Sequence, residues 1–208
     1  MIYENLEPIE EIAAKNDIEA VEALRRGRPQ RARYAPPYVR SALMLSGHRL
    51  RHLNRLDELA ADMVILNLED GVAPAQKPMA LRLIALFLAE AGTVRSRTVV
   101  RINPLDRGGK EEIAYLNSVL PDAIRVPKVR SAADVEEALD LVDGRIKVHL
   151  SIETKEAFEA LSSLRVDSRV EAFYLGVLDL LASMGLPQRI VQLHNPTMHY
   201  ILARFLAK

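Results

Sequence analysis

From Arg40 onward, short apolar runs alternate with longer stretches whose apolar positions recur at helical spacing. The runs Ala42–Leu45, Met63–Leu68, Thr98–Ile102, Ala123–Val126, Lys147–Ile152 and Ala172–Leu175 read as strands, each followed by a helical segment. In the fourth of these segments Val135, Ala138, Leu139 and Val142 share one helical face, and in the fifth Phe158, Leu161 and Leu164 do so. Asn195–Phe205 reads as the sixth helix. Parallel strands need crossover connections, so six consecutive βα units predict a parallel sheet covered by helices. A doubly wound sheet and a barrel both satisfy this pattern. The barrel is favoured because no glycine-rich turn follows the first strand, and because polar groups recur at the C-terminal end of nearly every strand. The expected fold is α/β, of the (β/α)8 TIM-barrel type, with about six βα units present.

Residues 1–39 follow a different pattern. Ile9, Ile12, Ala13, Ile18, Val21 and Leu24 form an apolar stripe on one or two polar helices between Leu6 and Arg25. A basic segment with Arg25, Arg26, Arg28, Arg31 and Arg33 follows, ending near Pro36 and Pro37. The expectation is an N-terminal helical extension and solvated basic linker over 1–39, joined to a barrel domain over 40–208.

Composition narrows the chemistry. The 208 residues are 49% hydrophobic and 27% charged, enough to bury a substantial core. Lysine plus arginine number 28, as do aspartate plus glutamate, so no global charge argues for a nucleic-acid partner. There is no cysteine, which excludes disulfides, thiolate metal sites and a cysteine nucleophile. No apolar run approaches the roughly 18 residues of a membrane span. The acidic N-terminus is unlike a secretory or transit peptide, so a cytoplasmic protein is expected.

The strand ends carry the candidate site. They read Ser46-Gly47-His48-Arg49, Asn67-Leu68-Glu69-Asp70, Arg101-Ile102-Asn103-Pro104, Pro127-Lys128, Ile152-Glu153-Thr154 and Gly176-Val177-Leu178-Asp179. Helix capping or surface ion pairing accounts for any one of these carboxylates alone. Their recurrence on one face of a barrel instead describes carboxylates interspersed with cations. Such oxygen ligands suit Mg²⁺, which takes one or two carboxylates and fills its octahedron with water or substrate. A neighbouring arginine offers a planar fork to a substrate carboxylate.

The same residues resemble the HpcH/HpaI aldolase and citrate lyase β-subunit family over roughly residues 40–208. Arg40–Gly47 is similar to that family's R-S-x-L-F-x-P-G. Asn67–Pro74 with Lys77 is similar to its D-L-E-D-x-V-A-P-x-x-K. Val100–Pro104, Pro127–Val129, Ile152–Thr154 and Gly176 with Asp179 follow in the family's order. The resemblance implies a magnesium-dependent carbon–carbon lyase. It would cleave or form a citryl-CoA- or malyl-CoA-like thioester, yielding a 2-oxo acid (oxaloacetate or glyoxylate) and an acetyl thioester on coenzyme A or an acyl carrier protein. It also implies roles. Glu153 and Asp179 hold the metal, and Arg101, with Glu153, binds the oxo acid. Asp70 supports the metal's water shell or orients Arg101, with Glu69 as the alternative group facing the mouth. Arg49 and Arg55 approach the phosphates of coenzyme A, although both also flank the first helix as an exposed face. A homo-oligomer, trimer or hexamer, is implied, without nucleic acid or membrane.

The sequence departs from the family at three points. Ser46 stands for the usual proline, and Asn67 stands for the first aspartate of D-L-E-D, removing one negative charge. The chain also ends before the eight βα units and roughly 250 residues of a full barrel, so a C-terminally truncated barrel is expected. Two alternatives accompany the lyase reading. One is a pyruvate aldolase of the same superfamily that does not use CoA. The other is a non-catalytic scaffold or regulatory paralogue.

Overall fold

The computed structural model describes residues 1–25, 38–92 and 94–207. Arg26, Arg28, Arg31 and Arg33 of the basic linker lie outside them. Helices α1 (Glu7–Ala14) and α2 (Ile18–Leu24) come first. Six units follow: β1 (Ala42–Ser46) and α3 (Leu50–Leu53), β2 (Met63–Asn67) and α4 (Lys77–Glu90), β3 (Arg97–Arg101) and α5 (Gly109–Leu116), β4 (Ala123–Val126) and α6 (Ala132–Leu141), β5 (Lys147–Ile152) and α7 (Lys155–Glu159), β6 (Val170–Leu175) and α8 (Val177–Ser183). Helix α9 (Pro196–Leu206) is last.

The six strands are all parallel and lie in chain order, β1 to β6. Each crossover from one strand to its neighbour has the same preferred hand. An unreversed order therefore carries every connecting helix to one face. A doubly wound sheet reverses its strand order; this one does not, and it is an arc of a barrel. Among the described residues β1 and β6 pair only with β2 and β5, so the sheet is open.

The outer face builds the main core. Val64, Leu66, Val100, Ile124, Val126, Val148, Leu150 and Ile152 meet the helices there. Helix α4 is apolar nearly all round because it is covered twice, by the sheet on one side and on the other by α2, against which α1 packs; Ile9 and Val21 of these two helices enter the same core. Tyr3 adds an edge-on contact to Phe87, with ring centroids 5.4 Å apart.

The inner face is different. Its small apolar cluster is Met63, Ile65, Val99 and Ala123. Above that layer, Ser46, Asn67, Arg101, Arg125 and His149 are successive partners across five strands, a polar row at barrel-interior positions. A β-bulge at Glu171 lengthens β6: Val148 faces Val170 but His149 faces Ala172. The extra residue turns Glu171 to His149 Nε2, 2.9 Å away, and into an ion pair with Arg97. His149 Nδ1 meets the Tyr174 hydroxyl at 3.0 Å, and the Arg125 guanidinium lies 4.1 Å over the Tyr174 ring while its Nε donates to Ser151 Oγ at 2.7 Å. Burial, with Arg101 nearby, lowers the Arg125 pKa.

The opposite end of the sheet is tied by carboxylates. Asp122 Oδ2 accepts from Thr98 N at 2.8 Å and from Thr98 Oγ1 at 2.7 Å, and Asp62 Oδ2 accepts from Arg40 N and Ser41 N. Among the described residues no helix is long and apolar enough to cross a membrane.

Candidate active site

The C-terminal ends of β2, β3, β4 and β5 and the first turn of α8 bring the predicted residues together. Arg101, the last residue of β3, ion-pairs through Nη2 with Glu69, with Glu153 Oε1 at 3.1 Å and with Asp70 Oδ2 at 3.7 Å. Lys128 Nζ lies 2.5 Å from Asp179 Oδ2 and 3.5 Å from Glu153 Oε2. Four carboxylates thus meet two cations in one cluster, a formal deficit of two positive charges.

Local sequence explains the placement. Asn67 is buried; its Nδ2 donates to the Asp70 carbonyl and its Oδ1 accepts from Glu69 N at 3.3 Å. The amide that replaces the family's aspartate therefore engages both its nitrogen and its oxygen in shaping the Glu69–Asp70 turn, which Gly71 completes at φ 88°. Gly176 ends β6 against Glu153: a Cβ there would stand 3.0 Å from Oε1 and closer still to Cγ. Thr154 caps α7, accepting from Ala157 N at 3.1 Å, and its hydroxyl donates to the Val129 carbonyl at 2.7 Å. That bond ties the Glu153 turn to the Lys128 turn.

Charge in this cluster is costly to bury. Burial lifts the Glu69 carboxyl to about 7; Glu153 and Asp70 add to the rise, and Arg101 opposes it. For Lys128, burial disfavours the ammonium, but the bond to Asp179 and the Glu153 charge outweigh it and raise its pKa. Glu153 Oε2 is buried without a hydrogen bond, its cationic neighbour being Lys128 Nζ at 3.5 Å, and Glu69 Oε2 is buried in its ion pair with Arg101 Nη2. A buried carboxylate oxygen without a hydrogen bond, together with the charge deficit, suits a hard divalent cation. Among the described residues no group of three or more His, Asp or Glu side chains forms a ready cage.

A cavity of about 560 Å³ adjoins the cluster, sharing Glu69, Asp70 and Lys128 with it and extending over the β3 and β4 ends to Arg107 and Arg130. Arg49 and Arg55 do not line it. Arg49 is exposed before α3, and Arg55 is exposed with its Nε 3.0 Å from Glu58 Oε2. One further network joins residues distant in sequence. Asn103 accepts from Lys77, and its N and Nδ2 donate to Glu112 at 2.7 and 2.5 Å. Lys77 in the family motif and Asn103 after Arg101 were its visible signals; Glu112, on a helix, had none.

The profile of the HpcH/HpaI aldolase/citrate lyase family matches residues 40–206. The chain belongs to this family. It is 32% identical over 155 residues to a (3S)-malyl-CoA thioesterase of Cereibacter sphaeroides, covering 74% of this chain and 54% of that protein. It is likewise 32% identical over 161 residues to the L-malyl-CoA/β-methylmalyl-CoA lyase of Rhodobacter capsulatus, covering 71% and 51%. The chain spans about half the length of the relatives it matches. Among solved structures, citrate lyase β subunit from Mycobacterium tuberculosis, complexed with oxaloacetate and magnesium, superposes with a TM-score of 0.63 at 25% identity, covering 88% of this chain and 74% of that one. RipC from Yersinia pestis superposes at 0.64 and 25% identity, covering 81% and 70%. The open six-stranded arc is this family's parallel α/β fold.

Proposed function

We propose that this chain carries the metal and oxo-acid part of a carbon–carbon lyase site. The reaction is cleavage or formation of a malyl-CoA- or citryl-CoA-like thioester, giving glyoxylate or oxaloacetate and an acetyl thioester on coenzyme A or an acyl carrier. The observation that carries this reading is the convergence of Arg101, Glu69, Glu153, Lys128 and Asp179 on one mouth, where the buried Glu153 Oε2 makes no hydrogen bond. The names of the relatives, malyl-CoA thioesterase and malyl-CoA lyase, support the thioester class.

In this reading Glu153 and Asp179 hold Mg²⁺, which when bound polarises the oxo-acid oxygens as a Lewis acid. Arg101 presents its guanidinium to the substrate carboxylate, and Asp70, 3.7 Å away, orients it. A substrate carboxylate would take the place beside Arg101 that Glu69 now fills. Glu69, lifted to about 7, can hold a proton at neutral pH beside the developing charge. Arg49 and Arg55 bind the phosphates of coenzyme A, and the working form is a homo-oligomer in the cytoplasm.

A pyruvate aldolase that does not use CoA is the second reading. It is favoured by Arg55 being engaged with Glu58 and by neither arginine lining the cavity. A thermal-shift panel of acetyl-CoA, oxaloacetate, glyoxylate and pyruvate, each with and without Mg²⁺, decides between them. Stabilisation by acetyl-CoA supports the lyase, and stabilisation by pyruvate with Mg²⁺ but not by acetyl-CoA supports the aldolase. No response to any ligand supports a non-catalytic paralogue.

A further inference from the structure

Lys128 stands at an uncommon backbone conformation. It follows Pro127 after β4 and lies in the left-handed region at φ 55°, which residues with a Cβ seldom adopt and which gathers at functional sites. Its ammonium is held 2.5 Å from Asp179 Oδ2 and 3.5 Å from Glu153 Oε2. Glu153 Oε1 is already taken by Arg101 at 3.1 Å, while Oε2 is buried with no hydrogen bond. Glu153 Oε2 and Asp179 Oδ2 thus both face the Lys128 ammonium.

We propose that Lys128 is a resident counter-cation, displaced from these oxygens by the entering divalent ion and transferred into the adjoining cavity. The inference rests on the metal reading above. Three observations carry it. First, the partners differ in freedom: the Glu153 side chain is 2% exposed and fixed, whereas that of Lys128 is 33% exposed on four rotatable bonds. Second, Lys128 lines the cavity together with Glu69 and Asp70, so the ammonium has carboxylates waiting on the side to which it would move. Third, a magnesium ion draws its oxygens to about 2.0–2.1 Å, and an ammonium left between Glu153 Oε2 and Asp179 Oδ2 would face its double charge at close range.

Two functions follow for this residue. In the metal-free site the ammonium screens Glu153 from Asp179 and keeps the pair assembled. After metal entry it stands in the cavity as a positioning residue for the anionic substrate. Metal therefore binds before the oxo acid, because only then is the ammonium released towards it.

Calorimetric titration of Mg²⁺ into the wild-type chain, Lys128→Met and Lys128→Arg tests the proposal, with thermal melts to confirm folding. Lys128→Met is expected to bind Mg²⁺ about tenfold more tightly, the scale on which groups beside a metal tune its affinity, and Lys128→Arg to stay within about threefold of wild type. With Mg²⁺ present, oxaloacetate should bind more weakly to Lys128→Met. Unchanged or weaker Mg²⁺ binding by Lys128→Met would overturn the proposal. If that variant does not fold, amine acylation of the wild type read by peptide mass spectrometry serves instead. Labelling at Lys128 should rise with saturating Mg²⁺, and no rise overturns the idea. Failure of the underlying metal reading is separate: Glu153→Gln would then keep wild-type Mg²⁺ affinity, whatever Lys128 does. Absence of Mg²⁺ binding in both wild type and Lys128→Met removes both claims.

Discussion

Replacing Gly176 by alanine should displace the central carboxylate without touching its chemistry. The backbone there, at φ −86°, suits any residue, so the effect is one of space alone. The new Cβ would stand 3.0 Å from Glu153 Oε1 and 3.1 Å from its Cδ, and nearer still to Cγ. Glu153 would have to retreat by roughly 1 Å to regain ordinary contact at about 3.5–4.0 Å. It is 2% exposed and anchored to Arg101 at 3.1 Å, so that retreat strains the ion pair as well as the packing. Overpacking of this kind costs about 1–3 kcal/mol. For a chain of this size each kcal/mol shifts the melting temperature by about 2–4 °C, giving a fall of roughly 2–12 °C. Gly144→Ala is the internal control, since its Cβ would meet nothing within 4 Å. The assay is a double-mutant cycle by thermal melts. Glu153→Ala removes the offending Cγ, so Gly176→Ala should cost little in that background, a coupling of about 1–3 kcal/mol. Equal costs of Gly176→Ala in both backgrounds, or a melt within about 1 °C of wild type, would refute the reasoning.

Two further outcomes follow from the same geometry. Glu69 has its folded pKa raised from 4.5 to about 7, so between those values the folded chain holds a proton that the unfolded chain has released. Its contribution to stability is full below pH 4.5 and lost as pH rises through 7; melts from pH 5 to 8 should show Glu69→Gln gaining on wild type as pH rises, and parallel profiles would contradict this. Asp122→Ala removes the Oδ2 that accepts from both Thr98 N and Thr98 Oγ1; denaturant unfolding should show a loss of about 1–3 kcal/mol while Mg²⁺ binding stays near wild type.

Much of this architecture was legible in the chain because outer-face residues of parallel strands are apolar and closely spaced. The runs at Ala123–Val126 and Lys147–Ile152 match β4 and β5 residue for residue. The start of β6 was not legible: the bulge at Glu171 puts a charged residue where alternation predicts otherwise, and only its pairing with Arg97 and His149 accounts for it. The predicted fifth helix is observed as the short α7 followed by a 3-10 turn at Leu161–Ser163, which still buries Phe158, Leu161 and Leu164. Periodicity predicts Asn195–Phe205 as the sixth helix and gives no sign of α8; α8 begins directly after Gly176, which is what brings Asp179 to Lys128.

The site was legible as a set of strand-end residues, and Arg101, Glu153, Asp70 and Asp179 do converge. What periodicity could not supply was the inner face. Arg97, Arg125, His149 and Tyr174 read as ordinary strand residues until the sheet curves and turns them towards one another. That Glu153 Oε2 makes no hydrogen bond is equally hidden, because satisfaction of a polar group depends on neighbours distant in sequence.

The central claim is that this cluster is a divalent-cation site centred on Glu153. Calorimetric titration of Mg²⁺ into the wild-type chain and into Glu153→Gln, both confirmed folded by thermal melts, tests it most directly. The account predicts saturable binding in wild type and its loss in Glu153→Gln. Equal binding in the two proteins, or none in wild type, would contradict it.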